Sequence, residues 1–470
     1  MGLMSDPSPI LVWFRNDLRL DDHPALHAAA KSKRPVIPVY LWTPEAEAPW
    51  PRGGASRWWL HHALVDLGKT LSDRGSKLVL RMGTDPFKLL RDLLEETGAG
   101  EIHWNRRYDP AGVKTDTALK KNLPAKSFRG SVLREPHEIE TQNGEYYKVY
   151  TPFYKNVISR GDPREPLDAP DGWMHPDSFP KSEVMDDWNL LPKIGWDKAF
   201  YDEWTPTLAG AEAQMEAFLE SAAGDYKDER DFPAKPGTSR ISPYLHFGQI
   251  SPRRLWHDAK AAAASGDAGG KGVDAWLRQL VWRDFAIHLL FHQPQLDLEP
   301  MQEKFSAFPW ENNPDHLQAW QRGQTGYPIV DAGMRELWTT GWMHNRVRMI
   351  VASFLVKDLR IHWHEGAKWF WDTLVDADLA NNSFGWQWAA GCGADAAPYF
   401  RIFNPMLQSK KFDGEGAYIR KWVPELKGLS PKDIHAPWEM DAPPEAYPEP
   451  IVDHALARDE ALEALSSLKD

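Results

Sequence analysis

The chain has 470 residues, enough to bury two or three sizeable cores and too many for one small module. Its 55 Lys and Arg against 67 Asp and Glu give a formal net charge of -12, which excludes a uniformly basic nucleic-acid binder but leaves room for a local basic cleft. No run approaches the ~18 apolar residues of a membrane span, the amino terminus lacks a secretory pattern, and a single cysteine, Cys392, excludes a disulfide framework or cysteine-rich metal site; the expected compartment is the cytoplasm.

In chain order, the short apolar runs at 9–14, 36–42, 77–83 and 101–105 read as buried strands, with helical spacing between them at 56–71 and 86–96. Strands alternating with helices predict a Rossmann-like, doubly wound parallel α/β sheet over 8–135. Neither G-x-G-x-x-G nor G-x-x-x-x-G-K-[ST] follows the first run, so the usual dinucleotide and P-loop readings fail. Eight prolines from Pro136 to Pro192 break any long element and predict an extended linker over 136–205. Strand patterns then vanish. The spacing predicts helices at 208–222, 251–264, 273–292, 315–323, 329–340, 344–358 and 364–374, an all-α domain over 206–470. Nine acids against Arg458 and Lys469 crowd the last 32 residues, whereas 401–430 is locally basic through Arg401, Lys410, Lys411, Arg420, Lys421 and Lys427. The net acidity is largely a property of the tail.

The chain holds 24 tryptophans. Most must serve as core, but so many large π-systems also suit an aromatic cofactor, base stacking or electron relay. On the helix at 273–292, Trp276, Gln279, Trp282 and Arg283 share one broad stripe, a costly way to fill a core because the polar heads need partners. Asn345, Arg348, Met349 and Ala352 form a second stripe, with Arg346 on another side, and an arginine there suits bidentate phosphate binding. Thr238 to Ser242 supply hydroxyls and consecutive N–H groups ahead of a turn, chemistry that suits a phosphate but also an ordinary helix cap. Asp376 and Asp378 stand two apart without a third acid or histidine at ligand spacing, so no metal site is expected. Cys392 and the lone histidines, His362 and His364 included, read as structural.

Taken together, Trp13-Phe14-Arg15 with Asp17-Leu18-Arg19, TSRISPYLHFG at 238–248, WLRQLVWRDF at 276–285, GYPIVDAGMR at 326–335, TGWMHNRVRM at 340–349, DADLANNSFGWQWAAG at 376–391 and DAAPYFRIFNP at 395–405 resemble the DNA photolyase/cryptochrome family. The resemblance runs from about residue 10 to 450 and is strongest to bacterial cyclobutane pyrimidine dimer photolyases. It implies an N-terminal antenna domain, a helical domain holding FAD, and light-driven electron transfer to a flipped-out pyrimidine dimer in UV-damaged DNA. It matches Tyr226, Thr238, Ser239, Arg240, Ile241, Ser242, Trp276, Arg283, Arg348, Asp376, Ala377, Asp378 and Asn382 to flavin-contacting positions. Arg230, Gln279, Trp282, Asn345, Arg346, Met349, Trp388 and Gln408 match lesion- or DNA-contacting ones. Trp310, Trp363 and Trp386 match the photoreduction chain. Gln279 stands where these photolyases commonly carry Glu, keeping the hydrogen bonding but losing the charge. Gly112 falls where some members carry a folate-contacting Glu, so the implied antenna is methenyltetrahydrofolate held differently, 8-hydroxy-deazaflavin, or none. Asn382 and Met349 speak against the alternative, a cryptochrome-type blue-light receptor without repair, and against a six-four photolyase. A monomer acting on DNA, with no membrane partner, is expected.

Overall fold

The computed structural model describes residues 8–396 and 400–468; positions 397–399 of the DAAPYFRIFNP motif lie outside them. Five strands, β1 (Ile10–Phe14), β2 (Val36–Trp42), β3 (Val79–Met82), β4 (Glu101–Asn105) and β5 (Ala125–Phe128), form one parallel sheet in the order β3-β2-β1-β4-β5. Between them run α1 (Pro24–Lys31), α2 (Gly54–Ser72), α3 (Pro86–Thr97) and α4 (Pro110–Asn122). Alternation sorts the strand residues onto two faces. Leu11, Trp13, Ile37, Val39 and Val79 meet Leu90, Leu93 and Leu119 of α3 and α4. Ile10, Val12, Phe14, Val36 and Tyr40 join a larger core continuous with the helical half. The sheet is therefore covered on both sides, as parallel sheets require.

β5 carries the weakly apolar sequence AKSF, which explains why spacing alone finds only four strands. The proline-rich stretch is not wholly extended. It contains the ten-residue helix α5 (Tyr150–Ser159), which falls between Pro136 and Pro163, with Pro152 tolerated in its first turn.

The second half is helical: α6 (Phe200–Glu203), α7 (Leu208–Ser221), α8 (Tyr226–Glu229), α9 (Ser242–His246), α10 (Pro252–Ser265), α11 (Gly270–His292), α12 (Pro314–Arg322), α13 (Pro328–Thr340), α14 (Asn345–Ser353), α15 (Trp363–Thr373), α16 (Leu379–Ala390), α17 (Pro405–Phe412), α18 (Ala417–Trp422) and α19 (His454–Ser466). The helix expected over 344–358 divides: α14 ends at Ser353, and residues 354–358 form one wider turn. The acidic tail includes α19, N-capped by Asp453. Among the described residues no helix is long and apolar enough to cross a membrane.

The two halves interlock where β1 ends. Arg19, 1% exposed, donates to the carbonyls of Gly248, Asp22 and Gly130 at 2.8–2.9 Å. Asp22 pairs with Arg253 at 2.9 Å, and Leu18 N–H donates to the Phe247 carbonyl at 3.1 Å. Gly248 has φ +66, and a Cβ there would lie 2.2 Å from the Asn16 carbonyl oxygen, so only glycine allows this approach.

Candidate flavin and nucleic-acid site

The 238–242 segment turns sharply at Arg240, whose φ of 50° lies in the left-handed region. Its guanidinium is held by Glu203 at 3.0 Å and lies over the rings of Trp204 and Trp342, contacts that offset the backbone cost. The turn presents Thr238 half-buried and Ser239 and Ile241 buried. Trp276 on α11 is 3% exposed and donates Nε1–H to Ser239 Oγ at 3.2 Å. Ser242 donates its hydroxyl to Asp376 at 2.6 Å. The same carboxylate takes two bonds from one Arg348 nitrogen, at 3.1 and 2.9 Å. Three distant segments are thus tied around one buried acid.

Two residues on, past the buried Ala377, Asp378 caps α16 by accepting from the Asn381 N–H at 3.0 Å. This sets α16 as a helix from an Asp N-cap to Gly391 at φ +89. Burial alone would raise the Asp378 carboxyl; His246, 3.8 Å away, and Arg283 override it and hold it below the ordinary carboxylate range. Arg283 donates to the Ser131 carbonyl at 2.9 Å. On α16, Asn382 is half-buried and fixed by an amide N–H donated to the Ala367 carbonyl at 3.0 Å. The paired aspartates are therefore committed to protein partners, and among the described residues no group of three or more His, Cys, Asp or Glu is placed to hold a metal.

These groups fit FAD. The buried Arg240 Nε has no hydrogen-bond partner, so donor capacity remains at the turn. Hydroxyls, N–H groups and guanidinium suit a diphosphate, Trp276 and Ala377 an apolar ring system, and the Asn382 amide its polar edge. His246 is the functional candidate that spacing misses; a single histidine in YLHFG carries no periodic signal, and its role comes from the fold placing it beside Asp378.

A second group adjoins the first through Tyr226, buried on α8 beneath the Arg230 guanidinium at 5.7 Å. Asp231, next to Arg230, pairs with Arg346 at 2.9 Å, and Arg346 lies over Phe412 of α17, 4.3 Å from its ring centre. This joins α8, α14 and α17. Asn345 is exposed and points an amide N–H at Met349 Sδ, 3.8 Å away; Trp388 and Gln408 are half-buried on α16 and α17. The expected α11 stripe does not act as one unit. Gln279 donates only into its own helix, to the Ala275 carbonyl at 3.2 Å, and Trp282 lies flat against Tyr150 at 3.4 Å.

The tryptophan chain is assembled in part. Trp310 and Trp363 both contact the ring of His362, at 5.1 and 5.7 Å. Trp386 has Phe370 and Trp320 as ring neighbours, at 5.0 and 6.1 Å, instead of Trp363. Its indole lies against the backbone of α15 at Gly366, one turn beyond Trp363, where a Cβ would come within 2.0 Å of the ring. His362 also caps α15.

A crevice opens at the carboxyl ends of β1, β2 and β4, where Asn16, Glu47, Arg52, Arg106 and Arg107 face His246, Arg283 and Asp378 of the helical half. Strand order reverses between β1 and β4, the place where open α/β sheets bind ligands.

A family model described as DNA photolyase matches residues 10–171, and one described as the FAD binding domain of DNA photolyase matches 276–467. The chain is 49% identical to a deoxyribodipyrimidine photo-lyase of Agrobacterium fabrum, over 98% of both chains. It is 35% identical to Cryptochrome-1 of Arabidopsis thaliana, over 97% of this chain and 70% of that one. A crystal structure of a bacterial class III photolyase from Agrobacterium tumefaciens superposes with a TM-score of 0.94 at 48% identity, over 100% of this chain and 98% of that one. With both family models matched in chain order and the fold shared end to end, the chain belongs to the DNA photolyase family.

Proposed function

We propose that the protein is a deoxyribodipyrimidine photolyase, a light-dependent lyase that splits cyclobutane pyrimidine dimers in UV-damaged DNA. The observation that carries this reading is the set of Ser239–Trp276, Ser242–Asp376–Arg348 and Asp378–His246 contacts, which ties α11, α14 and the start of α16 to the 238–246 segment, together with the Arg230–Asp231–Arg346 group. When bound in reduced form, FAD supplies the photoexcited electron that opens the dimer. The protein's part is binding, orientation and electrostatics. Thr238 to Ser242, Arg283 and Arg348 hold the diphosphate and ribityl end. Asn382 offers an amide in place of an acid, which hydrogen-bonds the ring edge without donating a proton to it, and so favours the anionic reduced state.

Arg230 and Arg346 counter backbone phosphates. Trp282 and Trp388 offer stacking faces to extruded bases, with Asn345, Met349, Gln279 and Gln408 around them. Gln279 bonds a base edge through its amide but contributes no charge. Trp386, Trp363 and Trp310 pass electrons inward, with His362 between the last two. Where an antenna pigment is carried, a methenyltetrahydrofolate or 8-hydroxy-deazaflavin, the wall of the crevice at the strand ends would hold it, since the opposite wall shares Arg283 and Asp378 with the flavin group. Arg52, Arg106 and Arg107 line the crevice together with acids that pair with them, Glu47 and Asp109 among these, a polar wall suited to the hydrogen-bonding edge of a planar heterocycle.

The test is repair itself. Reduced, illuminated protein restores dimer-containing oligonucleotides while a dark control does not. Full flavin reduction without repair would instead support the receptor reading.

A further inference from the structure

Helix α5, inside the proline-rich connection, is docked along α11. Tyr147 N–H donates to His288 Nε2 at 3.1 Å, and Phe153 packs on Phe285 and His288 at 5.1 and 5.0 Å. Its first residue, Tyr150, is 6% exposed and has three ties. The ring lies on the Trp282 indole with centroids 3.4 Å apart and planes within 5°. The hydroxyl donates to the Arg278 carbonyl at 3.0 Å, one helical turn before Trp282. The N–H donates to the Asp395 carboxylate at 2.9 Å, at a residue whose backbone is turned to φ 54°. Phe285 and Phe384 flank the same indole at 5.9 and 5.8 Å, and Trp282 nevertheless stays half-buried.

We propose that Tyr150 is a positioning residue for recognition of the damaged base: it covers one face of Trp282 and fixes the indole, so that only the remaining face is offered to an extruded pyrimidine. This rests on Trp282 being base-facing. An indole free to change rotamer would have to be ordered during binding, whereas one clamped in advance is not, and preorganisation of this kind appears as affinity for the correct ligand. Because the Tyr150 hydroxyl is pinned to α11 itself, clamp and indole move together. The connection between the halves thereby becomes part of the substrate hollow.

The test compares wild type, Tyr150→Leu, Tyr150→Phe, Trp282→Leu and the double leucine variant in the flavin-loaded full chain. It measures dissociation constants for a dimer-containing and an undamaged single-stranded oligonucleotide, together with repair at saturating substrate. Tyr150→Leu should bind the dimer about tenfold more weakly while undamaged-DNA affinity, flavin content and repair at saturation stay unchanged. Tyr150→Phe, which keeps the ring, should restore wild-type affinity. The double variant should be no weaker than Trp282→Leu alone, since both changes act through one side chain. Full dimer affinity in Tyr150→Leu alongside a weakened Trp282→Leu overturns the proposal. Full affinity in Trp282→Leu overturns the base-facing reading beneath it. Loss of flavin or fold in Tyr150→Leu, repeated in the milder Tyr150→Met, assigns Tyr150 to structure alone and overturns its role in recognition.

Discussion

Asp17 is 2% exposed and is surrounded by donors. It accepts from Arg15 N–H at 2.6 Å and from the Asn105 amide at 2.9 Å, and it lies 3.1 Å from His23 Nε2. Burial would raise its carboxyl, but His23, the Arg15 N–H and Arg19 together lower it from 3.8 to about 2. A folded-state value below the unfolded one means the group stabilises above the unfolded pKa, and that stability is lost as pH falls from about 4 towards 2. The size is about 2 kcal/mol. Asp17→Asn is therefore expected to unfold earlier in urea at pH 7, with the gap to wild type narrowing below pH 4. An unchanged gap across that range would mean the carboxylate charge is not what stabilises the loop. At this scale the sequence singled out Asn382 and Arg348 within their motifs, whereas His246, though inside TSRISPYLHFG, and Tyr150 were passed over, because their contacts lie 132 positions away in each case, with Asp378 and Trp282.

Among the elements, α15 and α16 lie close enough for the Trp386 indole to occupy the space beside Gly366, and α15 begins with His362 and Trp363. In the proposed relay the surface end is Trp310, whose ring and that of Trp363 both contact His362. Trp310→Phe should therefore abolish light-driven reduction of the oxidised flavin, followed by loss of its visible absorption band, yet spare repair by chemically reduced enzyme. Normal photoreduction in that variant would place the exit elsewhere, and the buried Trp320 beside Trp386 would be the next residue to replace. Long helices rich in apolar residues, such as α2, α11 and α13, were readable from the sequence. α16 was not, since polar and aromatic residues surround it and its limits depend on the Asp378 cap and Gly391. β5 was missed because its sequence is weakly apolar, and α5, whose buried Tyr150, Phe153 and Val157 recur at helical spacing, because the prolines around it read as an extended linker.

For the molecule as a whole, the loop after β1 and the segment 247–253 are joined through Arg19, Asp22, Arg253 and the Gly248 backbone. Gly248→Ala would force a methyl to within 2.2 Å of the Asn16 carbonyl and disfavour the φ of +66. A cost of about 3 kcal/mol is expected, seen as a lower thermal midpoint with both halves still melting in one transition. An unchanged midpoint would show that this close approach contributes nothing to holding the halves together.

The crevice at the strand ends has walls from both sides of that interlock, Asn16 and Arg107 from one and His246 and Arg283 from the other. Any pigment seated there would be owned by neither half. Expressed separately, each piece should lack that pigment's absorption band, which should return only when the two fragments reassociate.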